Sequence, residues 1–160
     1  MSGATEPTRA TAGQREPILI CYDGSAVAAR AIEAAGALLG PRRAVVIDIL
    51  PWMTTAESVA ATSSLVPGKD FEALNRAEAR RIAAHGAEIA CSAGFQAEPR
   101  GELASSTWRG IVDVADEVDA AVIVIGSTGR TGVKKVLEAS VSEQVADHSS
   151  RPVLIVPPSH

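Results

Sequence analysis

Six consecutive residues, Ala120-Ala121-Val122-Ile123-Val124-Ile125, carry no polar side chain. A strand built from them is apolar on both faces, so it belongs inside a parallel sheet layered between helices. Gly126 ends the run. Shorter apolar runs, Ile18 to Tyr22, Ala44 to Leu50 and Val153 to Val156, are each bounded by turn residues and read as further strands. A fifth, Phe95 to about Arg100, is polar at alternate positions and fits a sheet edge.

Helical periods lie between the strands. Ser25 can cap a helix from Ala26 to Leu39, with Ile32, Ala35, Leu38 and Leu39 on its inner face, and Gly40-Pro41 stops it. Phe71, Leu74, Glu78, Ile82, His85 and Ile89 recur at helical spacing between an N-cap at Asp70 and a C-cap at Gly94. Ile111, Val112, Ala115 and Val118 form a stripe on a helix from Thr107 to Val118, and a last short helix opens at Ser140. Trp52 to Lys69 has no period and contains Pro67-Gly68, which reads as a long loop, a cover for a crevice or a partner contact anchored by Trp52 and Met53. The alternation predicts an α/β fold: a five-stranded, mostly parallel open sheet with right-handed crossovers and helices on both faces, Rossmann-like.

At 160 residues the chain suits one domain. The expected organisation is a polar tail over 1–16, the domain over 17–157 and a short tail over 158–160. Aromatic residues are only 3% of the chain, so aliphatic side chains and alanines must build the core. A net charge of −4 argues against general nucleic-acid or anionic-membrane binding, which needs a basic surface. No stretch approaches the roughly 18 apolar residues of a membrane helix, and the polar start lacks the apolar centre of a secretory signal, so a cytoplasmic location is expected. Cys21 and Cys91 form no metal-binding spacing and read as reduced cysteines in or near the core.

The chemistry concentrates after the apolar strand. Gly126-Ser127-Thr128-Gly129-Arg130-Thr131-Gly132 follows it directly. In sheets of this kind ligands bind beyond the carboxyl ends of strands, where strand order reverses. Glycines let backbone amides approach an anion, and successive amides in a turn form an anion-binding concavity. Further on, Ser140-Val141-Ser142-Glu143 is a capping box, and a helix start presents unpaired amides and partial positive charge suited to phosphate. Arg130, Lys134 and Lys135 lie between the two. Taken singly, the glycines fit an ordinary loop, the capping box needs no ligand, and the basic residues fit a solvated surface. The combination points to phosphate. Neither the Walker A sequence nor GxGxxG is present, which disfavours a P-loop NTPase or a dinucleotide enzyme.

This loop resembles the universal stress protein family, whose nucleotide-binding members carry G-x2-G-x9-G-[ST]. Gly126 and Gly129 match the first two glycines, Arg130 to Glu138 supply the nine residues, Ala139 replaces the third glycine, and Ser140 matches the final Ser/Thr. Ile18 to Ser25 resembles the family's opening, with its aspartate at Asp23. The resemblance covers about Pro17 to Pro157. It implies an adenine nucleotide alpha hydrolase-like fold and ATP, or AMP or another adenine nucleotide, across the ends of strands one and four, with Mg bridging phosphates. It implies that Asp23 contacts adenosine and that the Ile49 backbone holds the adenine edge. Gly126, Ser127, Gly129, Arg130, Ala139, Ser140, Val141 and Ser142 would surround ribose and phosphates. It further implies a homodimer paired through Val153 to Val156.

These readings lead to a nucleotide-responsive stress protein acting through an unidentified protein partner, with little or no chemistry of its own. Two others stay open. One is a dimeric interaction or chaperone-like module without a nucleotide, favoured by Ala139 and the neighbouring Glu138. The other is a weak ATP hydrolase, against which stands the lack of a catalytic motif around His85, His148 or His160.

Overall fold

The structure is a computed structural model that describes residues 16–52, 68–127 and 140–159. The expected Gly129, Arg130 and Ala139, with Lys134, Lys135, Glu138 and Met53, lie outside the described residues.

The described elements alternate as expected. They are β1 (Ile18–Cys21), α1 (Ala26–Leu39), β2 (Arg43–Pro51), α2 (Gly68–Ser92), β3 (Gln96–Ala104), α3 (Thr107–Glu117), β4 (Ile123–Gly126), α4 (Val141–His148) and β5 (Val153–Val156). All strand pairs are parallel, in the order β3-β2-β1-β4-β5. The chain therefore grows outward from β1 in one direction through β3, then returns to the other side of β1 for β4 and β5. The reversal falls between β1 and β4, which places the ligand-competent crevice at their carboxyl ends.

Alternation along the strands divides the core into two layers. Ile18, Ile20, Tyr22, Val46 and Val124 face α1 and α2, while Leu19, Cys21, Val45, Ile47, Ile49, Ile123 and Ile125 pack with Ile111, Val114 and Ala115 of α3 and Val145 of α4. β1 is buried along its whole length, as a central strand covered on both faces must be.

Several boundaries and faces differ from the sequence expectations. The long helix α2 starts at Gly68, not after Asp70. β3 is the edge strand expected, but it runs on to Ala104, pairing with β2 as far as Pro51. β4 begins at Ile123, because the preceding chain is still completing the end of α3: Ala120 N–H donates to Ala115 O, and Asp119 takes a left-handed φ of 53°. Leu38 and Leu74, expected on buried faces, are exposed, and so is Cys91. The buried face of α2 is made instead by Ala79, Ala83, Gly86, Ala87 and Ala90.

That face is small because the helix lies close to the sheet. A Cβ on Gly86 would fall 2.6 Å from the Tyr22 ring, and one on Gly101 of β3 would collide with the α2 backbone at Ala79 and Arg80. Opposite, Arg151 ties the start of β5 to the turn after α3, donating to Asp116 (3.0 Å), Asp119 (2.8 Å) and the Ala120 carbonyl (2.8 Å). Its partners are exposed, so this clasp fixes geometry more than it adds stability.

Candidate functional site

A cleft of about 670 Å³ opens at the carboxyl ends of β1, β2 and β4, within the volume usual for small-molecule sites. Three turns build its walls. After β1, Gly24 adopts φ 82°, a conformation glycine takes without strain, and Asp23 Oδ1 accepts from the Ser25 amide at 3.0 Å. Ser25 then caps α1, its side chain accepting from Ala28 N–H at 3.2 Å. After β4, Gly126 touches the first turn of α1 so closely that a Cβ there would lie 2.9 Å from Val27 Cγ1 and 3.0 Å from its carbonyl oxygen. At the third wall the capping box at the start of α4 is complete: Glu143 N–H donates to Ser140 Oγ (3.3 Å) and Ser140 N–H donates to Glu143 Oε2 (2.9 Å). The Ser140 and Ser142 hydroxyls are 3.0 Å apart. The amides of Val141 and Ser142 are at the first two positions of this helix, where its partial positive charge lies.

The structure thus brings Asp23, Ile49, Gly126, Ser140, Val141 and Ser142 around one cleft, joined by Tyr22, Val27, Thr107, Ile111 and Gln144. Ser127 follows Gly126, but its amide donates to Val156 O at 2.8 Å, so that amide is engaged with β5 and not offered to an anion. The other expected contacts fall outside the described residues.

Asp48 is the residue that sequence reasoning passed over. It lines the cleft, is 6% exposed, and its Oδ2 has no hydrogen-bond partner among the described residues. Burial pushes its carboxyl up to about 6, with the charges of Asp23 and Glu78 adding to the effect and a hydrogen bond from the Ile49 backbone opposing it. The available signal was its position, a single carboxylate inside Val45-Val46-Ile47-Asp48-Ile49-Leu50. Nearby, the Tyr22 hydroxyl meets His85 Nδ1 at 2.8 Å, and burial together with the Asp23 charge raises the Tyr22 phenol above its ordinary value. Burial, and then the Asp23 charge, also raises the Cys21 thiol, leaving it un-ionised and inert. His148 holds the Gln144 carbonyl (2.8 Å) and stacks on Trp108 at 4.3 Å between ring centres. Both described histidines therefore have local partners.

A family model described as the universal stress protein family matches residues 14–157. The chain belongs to the universal stress protein family. Among its universal stress protein relatives, YxiE of Bacillus subtilis (strain 168) is 34% identical over 150 residues, which cover 87% of this chain and 97% of YxiE. The solved structure of MJ0577, a universal stress protein of Methanocaldococcus jannaschii, superposes with a TM-score of 0.69 over 91% of this chain and 97% of that one, at 22% identity. A universal stress protein in complex with cAMP gives a TM-score of 0.60 at 22% identity, covering 90% of this chain and 98% of that one. The Archaeoglobus fulgidus universal stress protein in complex with dAMP gives 0.58 at 23%, covering 89% and 98%. These structures establish the universal stress protein fold for this chain. Among the described residues no helix is long and apolar enough to cross a membrane.

Proposed function

We propose that this protein binds an adenine nucleotide in the cleft between β1 and β4 and signals its occupancy to a protein partner. The observation that carries the reading is the convergence at a topological switch point of Asp23, the Gly126 turn and the start of α4. The helix start, with its partial positive charge and paired serine hydroxyls, suits the phosphates. Asp23 and the end of β2 at Ile49, at the acidic side of the cleft, suit the neutral nucleoside. Two universal stress proteins of the same fold were solved with cAMP and with dAMP, in keeping with an adenine nucleotide here. A magnesium ion bound with the nucleotide would be held in part by the Ser140 and Ser142 hydroxyls, which are hard oxygen donors, and would neutralise phosphate charge. The histidines engaged by Tyr22 and Trp108 favour binding over turnover.

A homodimer paired through β5 is part of this reading. β5 ends the described sheet, and Ile155 on it is 39% exposed. A second copy would cover that apolar edge.

The test is thermal unfolding of nucleotide-stripped protein with and without ATP, AMP and cAMP, each with magnesium. A ligand at a hundred times its dissociation constant stabilises by about 2.7 kcal/mol, which raises Tm by roughly 5 to 10 °C for a chain of this size. The shift is expected for at least one adenine nucleotide and is expected to shrink in Asp23→Ala, whose only described hydrogen bond is the exposed one to the Ser25 amide. No shift with any of the three would overturn the reading and leave a dimeric interaction module.

A further inference from the structure

A strand at the margin of a sheet turns half of its backbone groups away from its neighbour, and another extended chain can pair with them. β3 is such a strand: nothing lies beyond it in the described sheet. Its register with β2 decides which groups point outward. Gln96 N–H donates to the Arg42 carbonyl, and Trp52 N–H donates to the Ala104 carbonyl, each at 2.9 Å, so the even-numbered residues of β3 bond to β2. The odd-numbered ones, Ala97, Pro99, Gly101 and Leu103, direct their backbone groups to the open side. Pro99, which has no N–H, therefore stands where β2 loses no bond.

This edge is the floor of a groove. A cavity of about 690 Å³ follows β3 from Glu98 to Glu102, with Ala73, Arg76, Ala77 and Arg80 of α2 on one side and Val118 beyond α3 on the other. The helix comes down onto the strand because residue 101 is glycine, and a Cβ there would collide with the Arg80 amide nitrogen. The charges along the groove are sorted by side. Gly101 faces α2, so by alternation Glu98, Arg100 and Glu102 face the α3 side. There Arg100 is engaged, donating to Glu102 (2.8 Å) and Glu117 (2.7 Å). On the α2 side Arg76 and Arg80 are exposed and have no acid at ion-pair distance among the described residues, although the adjacent Arg81 has Glu78.

Arg76 and Arg80 are one turn apart, about 6 Å along the helix. Alternate residues on one face of a strand are about 6.6 Å apart. A chain laid along β3 with acidic residues at i and i+2 thus offers one carboxylate to each guanidinium, the pairing arginine makes best. We propose that the open edge of β3 is a docking site for an extended acidic segment of a partner protein, which adds to the sheet as a further strand with its acidic side chains against Arg76 and Arg80. In strand addition the main-chain bonds supply affinity and alternate side chains supply selectivity. The missing donor at Pro99 and the charged α3 side discourage indiscriminate pairing. Neither edge strand of a second copy of this chain fits the arginines: β5 carries no acid, and along β3 Arg100 separates Glu98 from Glu102. The site lies at the margin opposite β5, two strands from the crevice at β1 and β4, and goes beyond the nucleotide reading without resting on it.

Short fluorescein-labelled peptides are titrated with the nucleotide-stripped full chain and followed by fluorescence anisotropy. One alternates glutamate with valine, a second has lysine in place of glutamate, and a third is the glutamate peptide N-methylated on the amides that would pair with β3. The glutamate peptide is expected to bind at least about tenfold more tightly than either of the others. The double variant Arg76→Glu with Arg80→Glu should keep the circular dichroism spectrum of the native chain and reverse the order, so that the lysine peptide binds best. Arg76→Gln with Arg80→Gln, which only removes charge, should abolish the preference. No binding of the glutamate peptide, equal binding of the glutamate and lysine peptides, or an order that survives both double variants overturns the proposal. An N-methylated peptide that binds as well as the unmodified one assigns the site to charge alone and overturns strand addition. A glutamate peptide that binds only by splitting a dimer still present in Ile155→Lys assigns the edge to a second copy and overturns it too. None of these outcomes bears on the nucleotide reading, whose own test is the thermal shift.

Discussion

Removing the charge of Asp48 should stabilise the protein, and the gain should depend on pH in a direction opposite to that of most carboxylates. The folded state holds the Asp48 carboxyl near 6, against an ordinary value of 3.8. A folded-state value above the unfolded one means that folding takes up a proton. The associated stability is fully present below about pH 3.8 and is lost as pH rises through about 6. Above that, the native protein carries a buried carboxylate whose ionisation costs about 3 kcal/mol more than in the unfolded chain. Asp48→Asn keeps the shape and cannot ionise. It should therefore gain about 3 kcal/mol over the native chain near pH 7.5, with the difference shrinking to about 1 kcal/mol near pH 4.5. The assay is urea unfolding at both pH values, followed by far-UV circular dichroism on ligand-free protein. With a slope typical of small domains, the midpoint rises by about 1 to 2 M at the higher pH. An equal gain at both pH values would refute the linkage, because an effect of packing has no reason to follow a proton. No gain near pH 7.5 would refute the premise that the buried charge is uncompensated.

Other substitutions probe the walls and the frame. Ser140→Ala removes the α4 cap and should cost about 1 kcal/mol of stability by urea titration, and weaken nucleotide binding in calorimetry, while the cap alone would explain only the first. Gly101→Ala inserts a methyl against the α2 backbone and should cost about 1 to 3 kcal/mol, read as a lower urea midpoint; a neutral result would mean that the helix can lift off β3 freely. Ile155→Lys places a charge on the exposed face of the edge strand and should convert a dimer to a monomer in light scattering without changing the circular dichroism spectrum.

Four of the strands, and the order of appearance, were legible because each announces itself locally, by an apolar run ended by glycine, proline or aspartate. The edge position of β3 followed from its alternating polarity, and the capping box of α4 from its four-residue pattern, which the structure reproduces bond for bond. Helix faces were harder. In α2 the large residues Phe71, Leu74, Ile82 and Ile89 suggest one buried stripe, but Leu74 is exposed and the helix meets the sheet through alanines and Gly86. Close approach of backbones rewards small side chains, and a hydrophobicity period weights them least. Asp48 escaped notice for a related reason. As a residue in a strand it interrupts an apolar run by one position, and only the folded arrangement reveals that it lines a cleft and that its buried Oδ2 has no donor among the described residues. The engagement of the Ser127 amide is likewise a product of tertiary pairing, invisible until β5 lies beside β4.

That last bond links two places usually considered apart. Ser127 leaves the cleft rim immediately after Gly126, and its N–H holds the carbonyl of Val156 at the end of the outermost described strand. A backbone donor left without its acceptor costs about 1 to 3 kcal/mol when water cannot replace it. The end of β4 therefore cannot shift independently of the end of β5: the rung behaves as a tie-rod that gears the margin of the described sheet to the cleft rim at Gly126.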